Sequence, residues 1–345
     1  MKRVLPLLIV LVLLSAMVAC GGEDDPKSGG ATNPIALVPQ KANLIGLADI
    51  ERVFEEVDFS QWEGMISEEE GEEDGQSFQE GLDAFKKLNL QEGLLFFDLS
   101  DIGGDDESAL VPEIPEMGDV GSFDGYLGII VTGDFKEDEV IQTIESVADE
   151  PLDAETTTYK GVVLYVDESD EFAIAFPADG LCVIGSLDAV KDVIDIKEGD
   201  ESPLKGEVLT TYNGLGTALF KLAMEIPSGL MEESFESEED EMGVPPAFLD
   251  METLALAVDK EGDVFSATMR LCFTNEESAT DTKGFLNLIL GMMGIEDIKM
   301  SVEGLCVNMS MEATPEMLKD LMKDFEGSES EPEEPGFSPS LWSEG

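Results

Sequence analysis

Histidine is absent from all 345 residues. Its absence removes imidazole acid-base catalysis, Ser-His-Asp and Cys-His nucleophile systems, and imidazole metal sites. The side chains left to do chemistry are four cysteines, Cys20, Cys182, Cys272 and Cys306, and a large excess of carboxylates. No Walker A loop, nucleophile elbow, Cys-x-x-Cys or dinucleotide fingerprint is found. Ser202-Pro-Leu-Lys205 has the spacing that would set a lysine base one helical turn from a serine, but its companion motifs are missing and it falls in a loop. Paired carboxylates could serve a glycosidase. With 77 acids such pairs arise by chance, and the two tryptophans, Trp62 and Trp342, lie beside an insertion and in a tail, away from any sugar platform. The expectation is a protein with no catalytic residues, an unrecognised hydrolase being the weaker alternative.

One cysteine stands apart. Lys2 and Arg3 precede an apolar run from Val4 to Leu14, which gives way to the small residues Ser15, Ala16 and Ala19 and then to Cys20 and Gly21. This is a secretory signal layout, and the run is too short to span a hydrocarbon core of about 30 Å. The segment Leu14-Ser-Ala-Met-Val-Ala-Cys20-Gly21 resembles the lipobox of bacterial lipoproteins, with Met17 where leucine is usual. The resemblance implies cleavage before Cys20, a diacylglyceryl group on its thiol, and a location on the extracytoplasmic side of the cell membrane or the outer membrane. Several acyl chains, at roughly 0.8 kcal/mol per buried CH₂, hold a protein stably where one chain is marginal.

The formal charge of -58 sets the partners. Such a surface repels nucleic acid and anionic head groups and keeps the chain soluble by self-repulsion. Basic proteins and cations remain open. Acidic stretches at 68–74, 98–107 and 232–241 could bind calcium weakly through oxygen ligands, but none has EF-hand spacing, so they read first as solvated loops. No cofactor and no defined metal site is expected.

The elements come in two similar series. Residues 1–19 form the signal, and 20–34 carry the lipidated cysteine and a polar tether that reaches roughly 40 Å when extended. Residues 35–200 form a first α+β module, 201–326 a second, and 327–345 a disordered acidic tail. In the first module strands are predicted at Leu44 to Ala48, Gly93 to Leu99, Tyr126 to Val131, Val162 to Val166, Phe172 to Phe176 and Gly180 to Ser186. Helices follow Asp49, Asp134 and Ser186. In the second, Val208 to Thr211 reads as a strand and Leu215 to Ile226 as a helix. A hairpin turning at Lys260 to Asp263, a helix near Gly284 to Met293, strands from Ile298 and Gly304, and a last helix after Thr314 follow. Gly-Leu-Cys-Val recurs at 180 and 304, each time ahead of a helix carrying Lys-Asp. Together these features point to an internal duplication, each copy an antiparallel sheet with helices packed on one face.

Strand parity puts Cys272 beside Arg270 and Thr274, and Cys306 beside Asn308 and Ser310, on polar faces. If those strands are neighbours the pair could form a disulfide, leaving Cys182 buried and reduced. The arrangement favoured at this point is three separate buried thiols. The function expected is a non-catalytic, lipid-anchored envelope protein that binds a partner or ligand. The alternative is a carrier of lipid or another apolar ligand, suggested by Met292, Met293, Met300, Met309 and Met311, since methionine suits adaptable apolar surfaces.

Overall fold

A computed structural model describes residues 33–56, 81–100, 125–148, 151–152, 154–167, 169, 171–227, 245–262, 264–293 and 298–314. Its strands are β1 (Leu44–Asp49), β2 (Leu90–Phe97), β3 (Leu127–Gly133), β4 (Glu155–Tyr159), β5 (Val162–Val166), β6 (Phe172–Ala178), β7 (Leu181–Ser186), β8 (Phe220–Glu225), β9 (Met251–Glu261), β10 (Val264–Phe273), β11 (Lys299–Glu303) and β12 (Cys306–Ala313). The helices are α1 (Ile50–Glu56), α2 (Glu137–Ala148), α3 (Leu187–Glu198), α4 (Glu207–Asn213) and α5 (Glu276–Met293). None of the described helices is long and apolar enough to cross a membrane.

All twelve strands form one antiparallel sheet, in the order β11-β12-β10-β9-β8-β1-β2-β3-β7-β6-β5-β4. The α+β class is as expected, but the two sheets read from the sequence are one, joined where β1 pairs with β8 from Leu44↔Met224 to Ala48↔Phe220. Two edge strands that would otherwise expose unpaired backbone groups satisfy each other there.

Helices cover both faces, not one. On one face, Val190, Val193 and Ile194 of α3 and Val208 and Tyr212 of α4 pack on Ile45, Leu47, Leu94, Phe96, Ile130 and Val183. On the other, Ile50 and Val53 of α1, Leu82 and Phe85, and Val140 and Ile144 of α2 pack on Ile129, Val131, Cys182 and Ile184. Burial on both sides is why residues 93–97 of β2 and 127–131 of β3 read as unbroken apolar runs. Toward the β11 end, α5 closes a smaller core around Leu271, Phe273, Ala279 and Val307.

Two neighbouring assignments come out exchanged. Val208 to Thr211 lies in α4, and β8 occupies the stretch expected as helix. Local propensity favoured a strand for Val-Leu-Thr-Thr, but Val208, Thr211 and Tyr212 recur at helical spacing and all three are buried. The good helix formers of Phe-Lys-Leu-Ala-Met-Glu are overridden because β1 and β9 offer backbone partners on both sides. Strand β4, polar and exposed, carried no apolar signal.

The halves follow mirrored paths outward from the β1/β8 seam, β1-β2-β3-β7-β6 against β8-β9-β10-β12-β11. Local details match too. Asp49 N donates to Leu219 O, and Glu225 N to Asn43 O; Gly133 N donates to Gly180 O, and Phe273 N to Leu305 O; Asp134 N donates to Asn89 O, and Thr274 N to Asp250 O. Gln91 is skipped in the β2/β3 register, and Glu252 is skipped in the β9/β10 register at the mirrored place. The Gly-Leu-Cys-Val strings are one residue out of step. The β6/β7 turn pairs Ala178 with Leu181, whereas the β11/β12 turn pairs Glu303 with Cys306. Cys182 and Cys306 therefore face opposite sides of the sheet.

A tight point in the core is Gly128, opposite Phe96 on β2 and Gly185 on β7. A Cβ there would come within 2.0 Å of the Phe96 ring. Gly128→Ala is expected to destabilise the fold by about 1–3 kcal/mol, read as a lowered midpoint in urea with unchanged slope, and Phe96→Leu in the same chain should recover part of the loss.

Candidate functional site

The sites expected from sequence are placed unevenly. Cys20, the stretches 68–74 and 232–241, and residues 101–107 of the stretch 98–107 lie outside the described residues, as does the last helix after Thr314. Asp98 organises a turn, accepting hydrogen bonds from Asn43 Nδ2 and Ser100 N. No group of three or more acids or cysteines able to hold a metal is present among the described residues.

Cys272 and Cys306 stand directly opposite on β10 and β12 and are joined in a disulfide with a Cα–Cα distance of 4.1 Å. This replaces the expectation of three separate thiols. Strand parity had set both residues on the polar face, and antiparallel pairing supplies the contact. Cys182 remains free and buried against Val131, its thiol pushed above the usual range first by burial and then by Glu137. Such a thiol is inert as a nucleophile.

Of the five methionines singled out in the sequence, Met300 and Met309 fall in one row. Met269, Met309 and Met300 lie side by side, continuing through Leu256 to Leu222, so one apolar row crosses five strands. Its members are half-buried. Met311 is half-buried one step along β12, and Met292 on α5 is 75% exposed. The side chain of Met293 is outside the described set.

Sequence reasoning missed a second row. Asp49 on β1, Glu92 on β2 and Thr132 on β3 are successive cross-strand neighbours, ending at Leu181 on β7. The Gln91 bulge sits beside Glu92, as bulges often do where a side chain must be re-aimed. Asp49 also caps α1, its Oδ1 accepting from Arg52 N at 3.1 Å. Lys221 lies one step away on β8. It donates to Gly216 O at 3.0 Å and sits 4.0 Å from the centre of the Tyr212 ring.

The electrostatics of this row are strained. Burial raises the Asp49 carboxyl, and the hydrogen bond from Arg52 N only partly offsets it. Glu92 is raised first by burial and then by Asp49 across the strand pair, with Lys221 opposing weakly. Burial depresses the Lys221 ammonium, which Glu92 partly restores, and raises the Tyr212 hydroxyl. Among the described residues Glu92 accepts no hydrogen bond. Thr132 is 1% exposed, and its Oγ1 has no partner. Displaced pKa values, half-open carboxylates and an orphaned hydroxyl together mark a candidate site. No signal in the linear sequence pointed to it, because the three residues meet only through strand register.

No protein family matches the sequence, and no curated protein matches it. Among solved structures the chain is similar to TP0453. Crystal form III superposes with a TM-score of 0.47 at 11% identity, covering 86% of this chain and 100% of that one. Crystal form I gives 0.45 at 10% identity, covering 86% and 98%.

Two outcomes test the geometry. A carboxyl raised by folding contributes stability below its unfolded pKa, and that contribution is lost as pH rises through the folded value. Glu92→Gln should therefore raise the melting temperature at pH 7, by about 1 kcal/mol of stability for a half-open unsatisfied acceptor. The gain should vanish as pH falls below the ordinary Glu value of 4.5. Differential scanning calorimetry across that range, with Asp49, Arg52 and Lys221 intact, checks the sign. Separately, the intact mass should rise by two hydrogens on reduction, with loss of about 3–4 kcal/mol for the loop closed by Cys272 and Cys306.

Proposed function

We propose that this chain is a non-catalytic, lipid-anchored protein on the extracytoplasmic side of a bacterial envelope, and that it binds a small ligand at the Asp49–Glu92–Thr132 row. The observation that carries the binding reading is the unmet hydrogen-bonding capacity of that row, an orphaned buried hydroxyl next to a carboxylate that accepts nothing. A folded core retains such a cost where a ligand or ordered water relieves it. The anchor reading rests on Cys20 and the segment before it. Support for a non-catalytic role is the absence of histidine and the inertness of Cys182.

The chain also reads as a tandem duplication. Its support is the mirrored strand order, the three matched pairs of backbone hydrogen bonds and the two bulges at corresponding places. The repeated Gly-Leu-Cys-Val string lends nothing, since its two occurrences are out of register.

A second reading, a carrier of lipid or another apolar ligand, is favoured by the five-strand row from Leu222 to Met300. Its half-buried side chains form an adaptable apolar floor beside α5, whose Leu288 and Met292 are exposed.

Cys20→Ser is expected to move the protein from the membrane fraction to the soluble envelope fraction without changing its fold; retention on membranes after the substitution would contradict the anchor. The native mass of residues 21–345, secreted without the acyl chains and purified without detergent, separates the two ligand readings. An added lipid-sized mass supports the carrier, and a bare polypeptide mass leaves the polar row.

A further inference from the structure

The mirrored halves provide an internal control for the polar row. The positions matching Asp49, Glu92, Thr132 and Leu181 across the seam are Glu225, Thr253, Cys272 and Cys306, which also form one continuous cross-strand row. There every buried group is closed off. Thr253 shares a hydrogen bond with Thr211 at 3.1 Å, Cys272 is bonded to Cys306, and the acid at the end of the row, Glu225, is exposed. In the first half the same architecture is left open, with two partly buried acids side by side and the Thr132 hydroxyl unpartnered. The contrast is specific to this row, since Arg270 Nε and Thr282 Oγ1 of the second half are also buried without a partner.

What the open row lacks is donors. Asp49 receives one backbone N–H at one oxygen, Glu92 receives none, and Thr132 Oγ1 is idle. Lys221 forms no ion pair with either acid, its ammonium donating to Gly216 O and lying over the Tyr212 ring, and the Arg52 guanidinium pairs with Glu56 and Asp259 instead. Directly opposed residues on one sheet face have Cβ atoms about 5 Å apart. Glu92 therefore has an acceptor on either side, Asp49 charged and Thr132 neutral, within reach of one small group.

We propose that the row binds the primary ammonium group of a small alkylamine, with Glu92 as its central acceptor and Asp49 and Thr132 on either side. An ammonium carries three donors and a positive charge, which matches three acceptors with an excess of negative charge. A divalent cation fits less well, because two carboxylates beside a lysine give too few anionic oxygens for calcium. The Thr132 hydroxyl is an observation independent of the acids; its oxygen is free to accept, which suits a ligand that brings N–H donors as well as charge. The assignment rests on the ligand-binding reading above.

The test is isothermal titration of the full acylated chain in detergent micelles at physiological salt, with butylammonium chloride, tetramethylammonium chloride and calcium chloride as probes. Butylammonium should bind at one site, and tetramethylammonium, equal in charge but without N–H donors, should not. Glu92→Gln and Thr132→Val should each weaken butylammonium by about tenfold or more, with melting temperatures at or above that of the parent chain. Thr132→Val is nearly isosteric, so it removes the hydroxyl and leaves the β-branched shape. Equal binding of both organic cations, or butylammonium binding unchanged by either substitution, would overturn the proposal in favour of diffuse attraction to an acidic surface. Calcium binding that depends on Glu92, without butylammonium binding, would overturn the ammonium assignment but leave the row a binding site. If no probe depends on Glu92 or Thr132, both readings fall together.

Discussion

The antiparallel pairing of β1 with β8 is the constraint on which the molecule depends. Each of these strands would be the edge of its own half, and a bare edge presents a line of unpaired N–H and C=O groups. Pairing from Leu44↔Met224 to Ala48↔Phe220 closes that line and makes one sheet of twelve strands. It also brings helices of one half onto strands of the other. Val208 and Tyr212 of α4, after the midpoint of the chain, share a core with Ile45, Leu94 and Val183. The loop before α4 is likewise pinned rather than loose, with Leu204 N donating to Val38 O at 2.7 Å and Pro203 bridging Pro39. A bridge between two independent domains would need neither contact.

The same seam positions the polar row. Asp49 is the last residue of β1, fixed from one side by β2 and from the other by the bond its own N–H makes to Leu219 O. Lys221 is brought alongside only because β8 pairs there. Desolvation then sets the row's character. Carboxylates held near each other and away from full hydration favour protonation or a cationic partner, and Lys221 acts on Glu92 only through space, without an ion pair. In the opposite half the equivalent positions have been resolved by covalent and hydrogen bonding, the Cys272–Cys306 disulfide and the Thr211–Thr253 pair.

Much of the architecture could be read in the linear chain, and what escaped did so for identifiable physical reasons. Apolar runs and turn residues marked β1, β2, β3, the β5/β6 and β9/β10 hairpins and β7, and Asp49 was recognised as a cap that the structure bears out through Arg52 N. Strand parity alone put Cys272 and Cys306 on the polar sides of their strands, beside Arg270 and Asn308, which also prove to be opposed. The exchange of α4 and β8 escaped because short segments with mixed propensity take their state from tertiary partners. The single sheet escaped because periodicity within a strand carries no information about which strand lies beside it. For the same reason Asp49, Glu92 and Thr132 could not be assembled, and among so many acids neither carboxylate stood out as a ligand group. A repeated four-residue string did suggest two related halves, yet its copies sit one residue apart in the hairpins, and the stronger correspondence lies in backbone bonds that the sequence does not display.

A unified sheet has a direct signature in exchange kinetics. Amides of β1 and β8 are central in one cooperative structure here, so native-state hydrogen exchange should find them among the slowest in the chain, opening together at the free energy of global unfolding. Exchange of both strands at the rates of fraying edges, with the two halves opening independently, would contradict the account and return the molecule to two separate sheets.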